Sequence, residues 1–238
     1  MNRTMTALVT GATSGIGRAI AEVLLANDFT VYGIGRNADG APKHGNFHYL
    51  AVNLADSASV AGLPDLLPST VDLLVNAAGV AYYGPHETVS PAAIHEMVAV
   101  NLEAPMILTS LLLPMLKEVK GTIVNISSVT AKHYNNTHGC AYGATKAGLT
   151  SFADSLFEEC RKTGVRVITI HPDLTDTGLY RNADFTPVPD SDFSLTAQEI
   201  ADFTWRLLSA RDGLVVTDFT VRPQRNGIQR KDRSDSRR

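Results

Sequence analysis

The sequence predicts a single α/β domain, a doubly wound and mainly parallel sheet of seven strands with helices on both faces. Three observations predict it. Short β-branched or apolar runs alternate with longer helical patterns along the chain, which marks a parallel sheet covered on both sides. The first run, Thr6-Ala7-Leu8-Val9, leads directly into a glycine turn that opens the helical pattern Ile16, Ile20, Val23, Leu24. At 238 residues and 44% hydrophobic content, the chain can also bury one substantial core.

The elements follow in order. Strands are expected at 6–10, 30–34, 47–53, 73–76, 122–127, 166–171 and 214–217, each a short apolar or β-branched run. Helices are expected at 15–26, 57–66, 91–119, 142–163 and 197–210. Ser90 reads as an N-cap with Pro91 at the first helical position, and Thr196 with Glu199 makes a capping box. Pro105 should bend or divide the 91–119 helix. Between the second and third strands only residues 36–46 are available, and they include Gly40, Pro42 and Gly45. A crossover that short leaves room for a turn rather than a helix.

A formal net charge of −3 makes no electrostatic case for nucleic acid or a membrane surface. No stretch is read as approaching the roughly 20 apolar residues of a membrane span, and the N-terminus runs into the first strand without room for a signal peptide. The two cysteines, Cys140 and Cys160, suit a reduced compartment, with Cys140 expected as buried filler near Tyr142. A soluble cytoplasmic protein is expected. Residues 1–222 are read as one catalytic domain. Residues 223–238, rich in Arg and Lys, are read as a solvated, disordered tail.

Two local patterns carry chemistry. In Thr10-Gly11-Ala12-Thr13-Ser14-Gly15-Ile16-Gly17 the glycines permit a sharp turn and close approach of a pyrophosphate to an amide-rich helix N-terminus. Tyr142 and Lys146, at i and i+4, share one helix face. An ammonium held there favours phenolate over phenol and should lower the tyrosine's pKa, so that it exchanges a proton with a substrate oxygen near neutral pH.

With Asn76-Ala77-Ala78-Gly79, Val100-Asn101-Leu102 and Asn125-Ile126-Ser127-Ser128 added, the chain resembles the short-chain dehydrogenase/reductase family over residues 5 to about 222. The resemblance implies a Rossmann-type fold and hydride transfer between a nicotinamide cofactor and a carbonyl or alcohol. It implies Tyr142 as general acid, Lys146 holding the phenol's pKa down and bonding the nicotinamide ribose, and Ser128 polarising the substrate carbonyl. Asn101 matches the residue that anchors a water relay to the lysine. The cofactor would meet Gly11, Thr13, Ser14, Gly15, Ile16 and Gly17 at the turn, Asn53 and Leu54 at adenine, and Asn76, Ala77, Ala78 and Gly79 along the backbone. Pro172 with Thr175 or Thr177 would stand near the nicotinamide amide. Asp173 occupies a place where the family usually has glycine, which argues against positive φ there. A homodimer or homotetramer is implied as well, and no metal.

The choice of cofactor follows from Val31-Tyr32-Gly33-Ile34-Gly35-Arg36. Where NAD enzymes of this architecture place an acid for the ribose hydroxyls, this chain has Gly35, followed by Arg36. A guanidinium grips a 2′-phosphate through paired hydrogen bonds, so NADP(H) is preferred over NAD(H).

Residues 178–194 read as a substrate lid, long and aromatic. The loop 129–141, with Lys132, His133, Tyr134, Asn135, Asn136 and His138, hints at a polar substrate. The expected activity is NADPH-dependent reduction of a carbonyl, or its reverse. The alternatives are a 3-oxoacyl-thioester reductase, which shares every motif, and a non-catalytic NADPH-sensing regulator.

Overall fold

A computed structural model describes residues 3–133 and 136–231 of the chain. In chain order the elements are β1 (Thr6–Thr10), α1 (Gly15–Ala26), β2 (Thr30–Gly35), β3 (Phe47–Ala51), α2 (Ser57–Ala61) and β4 (Leu73–Asn76). There follow α3 (Pro91–Val98), α4 (Ala104–Val119), β5 (Thr122–Ile126), α5 (Cys140–Cys160) and β6 (Arg166–Pro172). The last are β7 (Thr175–Asp176), β8 (Phe185–Pro187), β9 (Leu195–Thr196), α6 (Ala197–Leu208), β10 (Asp218–Val221) and β11 (Ile228–Arg230).

Seven strands form one parallel sheet in the order β10-β6-β5-β4-β1-β2-β3. Strand alternation feeds two cores. Leu8, Leu74 and Ile123 point to one face and pack with Leu108, Leu112 and Leu156. Ala7, Val9, Val75 and Val124 point to the other and pack with Ile20, Leu24 and Ile200. Burial on both faces is why these strands read as continuous apolar runs. The order reverses between β1 and β4, which leaves a crevice at their carboxyl ends where such sheets take ligands.

Two helical expectations need refinement and a third holds. The 57–66 segment breaks after Ala61, and Leu63–Leu66 continues as a 3-10 turn with Pro64 in its first turn. Pro105 does not divide the long helix. A π turn over Ala99–Glu103 lets the Ala104 amide donate to the Ala99 carbonyl five residues back, and Pro105 falls in the first turn of α4, where it has no amide to lose. The connection over residues 36–46 carries no helix, as its length requires.

Three other expectations are corrected. The seventh strand is Asp218–Val221, not 214–217: β6 pairs Thr169 with Asp218 through Pro172 with Val221, and Thr217 contributes only its carbonyl to Thr169. The run Leu214-Val215-Val216 is the more apolar of the two, whereas Asp218-Phe219-Thr220-Val221 alternates, the pattern of an edge strand. Second, Pro91–Val119 is long and apolar enough by composition to cross a membrane, with a mean hydropathy of 1.5. Its Met97, Leu108, Leu112 and Leu116 instead line the core, so the length and hydropathy belong to a buried helix. Third, part of the expected tail is ordered. β11 pairs antiparallel with β8, because its backbone completes the otherwise unpaired edge of a lid strand. The basic residues of 232–238 lie outside the described residues.

Candidate active site

A cavity of about 410 Å³ opens at the carboxyl ends of the parallel strands. Gly11 (φ +70°) and Gly15 (φ +51°) take backbone conformations that favour glycine, and these turn the chain from β1 into α1. Behind the turn, a Cβ on Gly17 would stand 2.5 Å from the Gly11 carbonyl oxygen. Ser14 caps α1 in an extended conformation and makes no side-chain capping bond, so the helix's first amides remain available to an anion. Thr10 supports the other wall, its hydroxyl accepting from the amides of Ala77 and Ala78, each at 3.0 Å.

Of the residues singled out from sequence, Gly11, Thr13, Ser14, Gly15, Ile16, Arg36, Asn53 and Leu54 line the cavity at the turn and its adenosine end. Ala77, Ala78, Gly79, Ser128, Tyr142, Lys146, Pro172, Thr175 and Thr177 line the remainder. Gly17, Asn76 and Asn101 stand behind the wall. Gly17 permits close helix packing, and Asn76 donates to Asn125 Oδ1 at 2.9 Å inside the sheet. Asn101 occupies the π turn. Its side-chain oxygen accepts from Val80 N at 2.9 Å, and its side-chain nitrogen donates to Val80 O at 2.8 Å and Thr145 Oγ1 at 3.1 Å. Its side chain thereby clamps the Gly79–Val80 segment onto α5. π turns recur at functional sites for such repositioning.

Tyr142 and Lys146 lie on the first turns of α5, 3% and 4% exposed. Ser127 turns inward and donates to the Lys146 carbonyl at 3.1 Å. Ser128 faces the cavity beside Tyr142, its hydroxyl accepting from Thr130 N at 3.2 Å. The Lys146 ammonium is 5.9 Å from the Tyr142 ring centroid and donates to the Ile126 carbonyl at 2.8 Å. Burial pushes the Tyr142 phenol up to about 12, and the Ser128 hydroxyl opposes this. Burial pulls Lys146 down to about 8. The expectation of a lowered tyrosine pKa thus does not hold in the free protein, where desolvation outweighs the lysine's charge.

At the adenosine end, Arg36 is largely exposed and reaches Glu96 at 3.6 Å. Tyr82 donates to the same carboxylate at 2.6 Å. The Asn53 side-chain oxygen accepts locally from Ala55 N at 3.1 Å. At the nicotinamide end Asp173, with no positive φ, accepts from Leu174 N and from Arg222 Nε, each at 2.9 Å.

The polar loop does not contribute to the cavity among the described residues. Lys132 is held by Asp218 and Thr220, His133 by Arg222, and Asn136 by the Thr130 carbonyl. Tyr134 and Asn135 lie outside the described residues. Beyond Tyr142 the wall is instead Leu179, Tyr180 and Arg181 of the lid, so the loop's polarity says nothing of the substrate. Cys140 is exposed rather than buried, at the start of α5, and Cys160 is buried. Sequence reasoning also missed Glu96 and Tyr82. Tyr82 lies in the loop after β4 and Glu96 on α3, and no local spacing joins either to Arg36.

The glycine turn, the free helix N-terminus and the close backbone approach of Ala77–Gly79 fit a dinucleotide, and the buried Ser–Tyr–Lys set faces its far end. Fold and site together define a nicotinamide-dependent oxidoreductase. Comparison with known proteins agrees. The short chain dehydrogenase family model matches residues 5–186, and the chain belongs to that family. It is 38% identical over 182 residues to a serine 3-dehydrogenase of Rhizobium radiobacter, covering 72% of each chain. It superposes with a TM-score of 0.83 on an alcohol dehydrogenase from the archaeon Thermococcus sibiricus complexed with 5-hydroxy-NADP, at 24% identity over 97% of this chain and 100% of that one. A metagenomic short-chain oxidoreductase in complex with NADP gives a TM-score of 0.78 at 31% identity, over 92% of this chain and 97% of that one.

Proposed function

We propose that this protein is an NADPH-dependent carbonyl reductase in which Tyr142 is the general acid, Ser128 binds the substrate oxygen and Lys146 supplies the stabilising charge. The observation that carries the reading is that Ser128, Tyr142 and Lys146, all buried, line one cavity, with the Lys146 ammonium 5.9 Å from the Tyr142 ring centroid. A phenol whose pKa is about 12 is protonated at neutral pH, the form that donates to a carbonyl oxygen as it gains charge. Ser128 orients that oxygen toward the phenol. Lys146 offsets the phenolate left behind, in a site where low polarity strengthens the attraction. The nicotinamide supplies hydride to the carbonyl carbon when bound. Arg36 supports NADPH over NADH, because it stands exposed just after β2, paired only at 3.6 Å with Glu96, with no acid before it to take the ribose hydroxyls.

The same reading has the enzyme acting in the cytoplasm as a homodimer or homotetramer. Val98 and Met106, exposed on the Pro91–Val119 helix, offer apolar surface for such a contact, and light scattering tests it. The function itself is tested by loss of NADPH absorbance across aldehydes, diketones, β-keto esters and acyl-thioesters, with NADH alongside. Turnover that falls by about 10²–10⁴ in Tyr142→Phe supports it. A preference for NADH would overturn the role of Arg36. Tight NADPH binding with no turnover across the panel would favour a non-catalytic sensor.

A further inference from the structure

Tyr83, four residues past Gly79, carries no role in the mechanism, yet its ring centroid is 5.7 Å from that of Tyr142. It is also 6.0 Å from Tyr180 and 5.2 Å from Phe185 of the lid, which are 5.5 Å from each other. These rings form one packed cluster, in which Tyr142 and Tyr180 line the cavity and Tyr83 and Phe185 back them from behind. The cluster has little freedom to retreat. A Cβ on Gly139 would already lie 3.1 Å from Tyr83 Cε1, so the ring is seated against the chain entering α5. The lid rings are held from outside. β11 pairs with Phe185–Pro187, and Lys231 Nζ donates to the Tyr180 and Arg181 carbonyls at 2.7 and 3.2 Å. The cavity of about 410 Å³ lies toward the lower end of the range for sites that take a single drug-sized ligand. Here it must accept a dinucleotide as well as the substrate.

We propose that Tyr83, with Tyr180 and Phe185, is a size filter that restricts the enzyme to compact carbonyl compounds and excludes carbonyls bearing aryl, polycyclic or long acyl groups. This rests on the carbonyl-reductase reading above. Packed aromatic rings cannot be displaced without losing contacts worth about 0.5–1.5 kcal/mol per pair, and a substrate group that enters must displace them. Truncating Tyr83 or Phe185 removes the backing of Tyr180 and lets that ring yield to a larger substrate group.

The test compares 2,3-butanedione with 1-phenyl-1,2-propanedione, which differ by a methyl exchanged for a phenyl. The wild type should favour the smaller diketone by about tenfold or more in kcat/KM, the scale on which pocket fit discriminates. Tyr83→Ala, and separately Phe185→Ala, should shift that ratio toward the phenyl compound by about tenfold, with the Kd for NADPH unchanged. Two variants are needed because either could fail to fold. If one no longer binds NADPH, the ratio in the other decides. Should both lose NADPH binding, the wild-type preference alone decides. Equal use of both diketones by the wild type, or an unchanged ratio in a folded variant, overturns the filter, as does absence of turnover on either. Tyr142→Phe separates the two readings: wild-type rates in that variant sink the reductase mechanism, whereas an inactive Tyr142→Phe beside an unmoved ratio sinks only the filter.

Discussion

The Lys146 ammonium donates a 2.8 Å hydrogen bond to the carbonyl of Ile126, tying the turn after Tyr142 to the last residue of β5. The bond fixes the charge on the strand that leads to Ser128, so proton donor, oxygen-binding hydroxyl and cation keep one mutual geometry. It also holds an ionised amine in a site that disfavours it, since burial pulls Lys146 down to about 8.

The rate of carbonyl reduction should therefore be level at acidic to neutral pH and decline as pH rises through about 8, where Lys146 loses its proton and Tyr142 its stabilising charge. The inflection should be absent in Lys146→Met, whose activity should be lower by about 10²–10⁴. A pH–rate profile of kcat for both proteins checks this.

The same shift fixes a stability trend. Between about pH 8 and the ordinary lysine value of 10.5, the unfolded chain binds a proton that the folded chain does not. Stability therefore rises with pH in that window from this residue alone. The difference in Tm between wild type and Lys146→Met should move in favour of the wild type as pH goes from about 7 to about 10. A constant difference would show that Lys146 does not titrate as its burial demands.

Arg36 and Glu96 are coupled through their contact at 3.6 Å. Arg36→Ala should weaken NADPH binding by about tenfold or more and leave NADH within about twofold, since a charge-assisted hydrogen bond contributes about 1.5–3 kcal/mol. Glu96→Gln should tighten NADPH by removing the competing carboxylate. Fluorescence titration of both cofactors against both variants decides it.

Gly17→Ala should abolish tight cofactor binding while the protein still folds. The added methyl would meet the Gly11 carbonyl at 2.5 Å, forcing α1 away from the turn at a cost of about 1–3 kcal/mol. NADPH titration beside a thermal melt separates the two effects. A variant that binds as tightly as wild type would show that the turn tolerates displacement.

Asn101→Ala removes three hydrogen bonds from a fully buried position. It leaves both polar groups of Val80 without that partner, which costs about 1–3 kcal/mol for each buried group. The Tm should fall by about 2–4 °C per kcal/mol in a chain of this size, with NADPH binding weakened because Gly79 moves. An unchanged Tm would assign the clamp to the π turn itself.

Much of this was legible in the chain. Central parallel strands buried on both faces must be apolar, so β1, β2, β4, β5 and β6 stand out as runs. A glycine at positive φ and an i, i+4 Tyr–Lys pair are local facts that survive whatever packs around them. Of the two edge strands, β3 kept a legible aromatic and apolar run, whereas β10 escaped because only alternate residues are partly buried, which weakens its pattern to a short alternation. The sequence by itself thus determined the parallel α/β sheet, the glycine turn into α1 and the Tyr142–Lys146 pair on one helix face. Tertiary structure alone decided what those groups are worth. The pKa values of Tyr142 and Lys146 depend on burial by residues distant in sequence. Asn101 became a clamp only because a π turn carried it to Val80. The aromatic cluster joins Tyr83 to a segment paired with β11, and contacts that span the chain leave no trace in local spacing.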